Sequence, residues 1–225
     1  MNPPGEVAVE TRRVPLAESG GRHLAARVYL RPEGGPIAPS PVLRIQDFLS
    51  ARARRRDLPV LRELLDLHPS VALIDIGGGT GGLADSLATD CRELVVLEPE
   101  ASRVEYGRVR HPHLRFVEGR AETIPFPAES FDRAMAIVSF HHVTDQRRAL
   151  EEIHRVLKPS GRLVVQELDP TRGRGKLACF MENTLRHYDL AFLEPAALQR
   201  ELEAASFRNV FVQSAGQGYF AAADK

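Results

Sequence analysis

The segment from Val71 to Gly82 constrains this chain more than any other. Val71-Ala72-Leu73-Ile74-Asp75-Ile76 is an apolar run that opens into Gly77-Gly78-Gly79-Thr80-Gly81-Gly82. A short apolar run bounded by glycine predicts a strand buried on both faces, as in a parallel sheet. Glycines let the backbone turn sharply and approach a ligand closely, and N–H groups at the start of the following helix can receive an anionic group. A strand, loop and helix of this kind form one unit of a doubly wound α/β sheet, whose ligands lie beyond the carboxyl ends of the strands. The spacing satisfies two patterns. Gly77, Gly79 and Gly82 fit GxGxxG, and Gly77, Gly79 and Gly81 fit GxGxG. Both call for an acid closing the second strand, and Glu98 follows Leu94-Val95-Val96-Leu97, 21 residues after Gly77. One carboxylate there can accept hydrogen bonds from both hydroxyls of a ribose. Asp75 separates the two patterns, because a carboxylate two residues before Gly77 opposes a pyrophosphate and favours a ligand with an ammonium group.

The rest of the chain extends the alternation. Helices are expected over Leu83–Ala88, from Glu100 to about Arg110, from a cap at Asp145 to Leu157, and over Ala196–Ala204. Strands are expected over Leu114–Val117, Ala134–Phe140 and Arg162–Glu167, and a hairpin over Val210–Gln213 and Tyr219–Ala222. Residues 170–195 form a longer excursion with a helix around Ala178–Leu190. The pattern predicts a doubly wound sheet whose last strand is antiparallel. Residues 1–41 are broken by seven prolines, with one short strand within His23–Leu30, and residues 42–67 hold one or two helices. We expect residues 1–67 to be an arm and helical cover rather than an independent domain, and 68–225 to be the ligand-binding domain. Arg52 and Arg54–Arg56 read as a solvated turn between the cover helices, ahead of a clamp for an anion.

Composition narrows the function classes. The 225 residues hold 43% hydrophobic and 27% charged residues, enough for one sizeable core. Lys and Arg number 30, as do Asp and Glu, and no basic stripe with interleaved aromatics appears, so no nucleic-acid partner is expected. No apolar run reaches the roughly 18 residues of a membrane span, and Met1–Glu10 has no apolar block. The expectation is a cytoplasmic protein without a membrane partner. Cys91 and Cys179 lack paired spacing and read as free thiols.

Six stretches in order then carry a family resemblance. They are Leu73–Gly81, Val95–Pro99, Phe116–Phe126, Ser130–Asp132, Val138–Asp145 and Glu152–Leu163. Together they resemble the class I S-adenosylmethionine-dependent methyltransferases, and most nearly the group containing the ubiquinone/menaquinone-biosynthesis C-methyltransferases, over about residues 71–168. The resemblance implies a seven-stranded, mostly parallel sheet and S-adenosylmethionine as cofactor. It also implies that Asp75, Gly77, Gly79, Thr80 and Gly81 hold the methionyl end, Glu98 the ribose, and Arg120 and Ala121 the adenine, with Ser139 on the methionyl side. A side chain at Gly79 would occupy ligand space, whereas Gly78 is a variable position. Arg120 departs from the usual Asp or Asn and has no acceptor, so it either stacks on the ring or turns to solvent while Ala121 supplies backbone contacts. The chain has no Trp, and residues 30–68 do not reproduce the upstream motif of the quinone enzymes, so quinone methylation is not carried over.

Methyl transfer mainly needs alignment, with a base only where the acceptor must lose a proton. His141 and His142 follow the fourth strand at the ligand edge, and either could orient or deprotonate an acceptor. His142 is the preferred candidate. Glu167 and Asp169 are expected to satisfy loop N–H groups, ahead of meeting a cationic substrate. No metal site is expected. His111 and His113 read as surface, and Phe180, Met181, Tyr188 and Phe192 as either lid or core. The expected function is methyl transfer to a small, partly apolar molecule. The alternatives are a nicotinamide-dependent oxidoreductase and a non-enzymatic regulator that keeps the cofactor pocket.

Overall fold

The computed structural model describes residues 10–13, 27–30, 56–186 and 190–225. The chain divides into two compact units, Met1–Ser40 and Pro41–Lys225. In the first, β1 (Glu10–Arg13) and β2 (Arg27–Leu30) pair antiparallel, Glu10 opposite Leu30. The cluster at Arg52 and Arg54–Arg55 lies outside the described residues.

The second unit alternates as the sequence predicts. Helix α1 (Leu58–Leu65) precedes β3 (Ala72–Ile76), α2 (Gly82–Leu87), β4 (Glu93–Glu98), α3 (Ala101–Arg110), β5 (Arg115–Glu118) and β6 (Phe131–Ile137). Then follow α4 (Gln146–Val156), β7 (Leu157–Leu168), α5 (Gly173–Arg186), α6 (Pro195–Ala204), β8 (Arg208–Ala215) and β9 (Gly218–Asp224). The sheet has seven strands in the order β5-β4-β3-β6-β7-β9-β8. Strands β3 to β7 are parallel, and β9 runs antiparallel between β7 and β8. The order reverses at β3, which puts the ligand crevice at its carboxyl end.

The period of two along each buried strand feeds two cores. Ala72, Ile74 and Ile76 of β3 face one side, with Leu150 and Ile153 of α4 and Leu198 and Leu202 of α6. Leu73 faces the other, with Leu61 and Leu65 of α1, Leu83 and Leu87 of α2 and Val104 of α3. Helix α1 is therefore one member of the helical layer on this face. Arg133 Nε donates to Leu65 O at 2.6 Å, and Gln166 Nε2 to Asp57 Oδ2 at 2.7 Å.

Two of the sequence blocks that carry the resemblance are structural ties. Asp132 accepts from Ala72 N–H at 2.9 Å and from Lys158 Nζ at 2.8 Å, joining the amino ends of β3, β6 and β7. Glu152 accepts from Ile124 N–H at 3.1 Å, while Arg155 donates to Phe126 O at 2.8 Å and Ile124 O at 3.0 Å. The start of α4 is capped as expected, Asp145 Oδ1 accepting from Arg148 N–H at 2.9 Å.

Candidate functional site

The glycine loop and Glu98 form one hydrogen-bonded unit. After Ile76 the backbone enters the left-handed region at Gly77, Gly79 and Gly81. Gly77 N–H donates to Leu97 O at 2.8 Å, which ties the loop to the end of β4. Gly79 N–H donates to Glu98 Oε2 at 3.0 Å, and Glu100 N–H donates to Oε1 at 3.1 Å. Glu98 is buried, and that burial pushes its carboxyl above the usual carboxylate range, against the two N–H donors and the positive charge of Arg103. A Cβ built on Gly79 would meet no atom closer than Arg103 Nη1 at 3.8 Å, so the middle glycine fronts open space. A Cβ on Gly77 would lie 2.8 Å from Ser139 Cβ. Glycine there lets Ser139 close up, and its Oγ donates to Ile76 O at 2.7 Å. Asp75, near the end of β3, and Thr80, in the loop, are both buried. The two buried carboxylates are acceptors that fit a ligand with two adjacent hydroxyls at Glu98 and an ammonium at Asp75.

Gly78 departs from its expected role as the variable position. A Cβ there would lie 2.7 Å from Asp75 Cγ and 2.8 Å from Val96 Cγ1. Gly78→Ala is therefore expected to displace the Asp75 carboxylate and weaken ligand binding, while Gly79→Val fills the open side and forces a β-branched residue to φ 61. Calorimetry should give a dissociation constant raised more than about tenfold for each, with Gly79→Val the weaker binder. Wild-type affinity in Gly78→Ala would mean that Asp75 has no part in binding.

On the expected adenine side, the Arg120 side chain lies at the surface. It is 61% exposed, and Nη2 lies 3.3 Å from both Glu122 Oε1 and Thr144 Oγ1. The Ala121 methyl group is part of the apolar core, so its backbone is what remains for a ligand. Arg103 is a further side chain at the site. It sits in the first turn of α3 beside Gly79, held by Glu100 at 2.7 Å, and its only sequence signal is that it follows the acid-ended strand.

The fourth strand of the alternation, β6, begins and ends three residues earlier than the expected Ala134–Phe140. It stops at Ile137 because Val138 adopts φ 52, an unusual conformation for a β-branched residue. Val138 N–H still reaches Gln166 O at 2.7 Å. The chain then makes a single 3-10 turn, Phe140–His142. Glu167, from β7, holds this turn. Oε1 accepts from Phe140 N–H at 2.8 Å and His141 N–H at 3.2 Å, and Oε2 lies 2.7 Å from His141 Nδ1. A carboxylate can only accept, so Nδ1 carries the proton. The two histidines divide accordingly. His141 is buried, its ring stacked on Phe192 at 4.3 Å, while His142 is exposed on the rim.

Asp169 behaves as expected of a loop acid, accepting from Thr171 N–H at 2.8 Å and Thr171 Oγ at 2.6 Å. Tyr219 OH donates to Leu193 O at 2.9 Å, and burial raises its phenol, reinforced by Glu167 and Asp169. His111 and His113 are not simply surface groups. Both face Asp85 Oδ1 at 3.0 Å, and His111 is largely buried. Phe180 and Met181 are exposed, and Tyr188 lies outside the described residues. Among the described residues, no group of three His, Cys, Asp or Glu side chains could hold a metal ion, and no helix is long and apolar enough to cross a membrane.

Residues 74–165 match the methyltransferase domain family. The chain is 31% identical over 123 residues to the demethylmenaquinone methyltransferase of Paenarthrobacter aurescens, covering 55% of this chain and 49% of that protein. It is 37% identical over 110 residues to the ubiquinone/menaquinone biosynthesis C-methyltransferase of Hahella chejuensis, covering 45% of this chain and 44% of that protein. The chain spans about half the length of the curated relatives it matches. Among solved structures, human N-acetylserotonin methyltransferase in complex with S-adenosylmethionine has a TM-score of 0.65 at 21% identity, over 80% of this chain and 55% of that one.

Proposed function

We propose that this chain, residues 74–165 of which match the methyltransferase domain family, is an S-adenosylmethionine-dependent methyltransferase that transfers a methyl group from that cofactor to a small, partly apolar acceptor. The observation that carries the reading is the joint unit of Gly79 and Glu98, with Asp75 buried under the loop. Asp75 would meet the amino group, Glu98 the ribose hydroxyls, and the backbone at Arg120 and Ala121 the base. Bound there, the cofactor supplies an electrophilic sulfonium methyl. The protein's share is to orient the acceptor and exclude water. The relatives named for quinone biosynthesis support an apolar acceptor. The test is incubation of the chain with methyl-labelled cofactor and a small-molecule extract. Label in an organic-soluble product supports the proposal. Cofactor binding without label transfer from any extract would favour a regulator.

His142 is the side chain we assign to the acceptor. It stands beyond Ser139 on the rim, with its partner His141 held inward by Glu167. His142→Ala should lower turnover and leave cofactor affinity nearly unchanged. As a general base His142 would be worth about 10²–10⁴-fold, with a rate that rises through a pKa near neutrality. As an orienting group it would be worth less, with little pH dependence. Loss of thermal stability together with activity would remove it from the site.

A further inference from the structure

Among the described residues, three of the six exposed large hydrophobic side chains lie on one helix. Leu177, Phe180 and Met181 of α5 are 58%, 65% and 49% exposed. Their i, i+3, i+4 spacing puts them on one face. At about 100° per residue, they cover an arc of about 100°, with Lys176 about 40° beyond one edge and Arg174 about 20° beyond the other. Arg172 precedes the helix, and all three cations are exposed. The opposite face packs on the protein. Gly175 and Cys179 are buried, and a Cβ on Gly175 would strike the carbonyls of Gln217 and Asp169. The first turn of α5 is thereby pinned to the carboxyl end of β7 and the β8–β9 turn, on the edge of the sheet that holds Glu167.

We propose that α5 docks the protein on a bilayer surface containing anionic lipid. An apolar stripe flanked by Lys and Arg is the pattern of a helix that lies in the interface plane, its apolar residues among the acyl chains and its cations against the headgroups. This differs from a spanning segment, so the lack of an apolar run long enough to cross a membrane does not bear on it. The charge pattern selects an anionic lipid surface over a second copy of the chain, since flanking cations on both copies would repel. Docking by α5 would bring the carboxyl edge of the sheet to the membrane, where an apolar acceptor dissolves. Docking itself needs no methyl transfer, so loss of turnover with docking intact would sink only the functional proposal.

The test is flotation of the full chain with phosphatidylcholine vesicles, alone or with about one third phosphatidylglycerol. The wild type should float with the anionic vesicles, and added salt should weaken it. Replacing Leu177 and Phe180 together with Ser should reduce partitioning at least tenfold. Lys176→Glu with Arg174→Glu should abolish the preference for anionic vesicles. Melting temperature and cofactor affinity of each variant establish that it is folded. Equal flotation with neutral and anionic vesicles, unchanged flotation of the serine variant, or a wild-type dimer that the serine substitutions dissociate without any vesicle binding would each overturn the proposal.

Discussion

Glu167→Ala should lower the stability of the protein by about 3–5 kcal/mol, since each buried donor left without its acceptor costs about 1–3 kcal/mol. Three groups lose their acceptor together, Phe140 N–H, His141 N–H and His141 Nδ1–H, all buried. For a chain of this size that is a fall of roughly 6–20 °C in melting temperature. Glu167→Gln keeps an acceptor for the two backbone groups and should recover part of the loss. The structural role predicts one more pattern. His142 is the last residue of this turn, so turnover should fall in Glu167→Gln while cofactor affinity in the folded protein stays close to wild type. A drop in stability below about 1 kcal/mol in Glu167→Ala, within the range of an ordinary surface substitution, would show that the turn is held by other contacts.

Glu98→Ala is expected to weaken cofactor binding by roughly 1.5–3 kcal/mol, the worth of hydrogen bonds to a charged group. Tenfold to more than a hundredfold in dissociation constant should be seen by calorimetry. The pH dependence gives a second readout. Burial holds the Glu98 carboxyl above its ordinary value, so the folded protein binds this proton more tightly than the unfolded chain does. Its contribution to stability is present in acid and is lost as pH rises through the folded pKa, which makes the ionised group a cost near neutrality. Hydroxyl donors from a bound ribose favour the ionised form. Affinity should therefore fall as pH drops through the raised Glu98 pKa, with proton release on binding in that window. Calorimetry in two buffers of different ionisation enthalpy measures that release. An affinity that is flat from neutrality down into the carboxylate range would remove Glu98 from the ribose site, as would an unchanged dissociation constant in Glu98→Ala.

Local chemistry made the doubly wound sheet, the glycine loop and Glu98 legible in the sequence. A strand buried on both faces must be apolar throughout, a tight loop that takes the left-handed region three times must be rich in glycine, and an acid ending the second strand stands out against Leu94–Leu97. The cap at Asp145 is equally local, since its acceptor reaches an N–H three residues on. What the sequence left open depended on partners far along the chain. His141 and His142 are neighbours of one type, and only Glu167, brought alongside by the pairing of β6 and β7, turns one inward and leaves the other on the rim. Gly78 looked replaceable because nothing near it in sequence shows that Asp75 and Val96 occupy the space its side chain would need. The blocks Phe131-Asp132 and Glu152–Arg155 could be recognised, but their work as ties between strand ends and loops became visible only once β3, β7 and residues 124–126 stood beside them. Periodicity predicts which face of an element is apolar. Which of two like side chains meets a buried carboxylate is decided by packing.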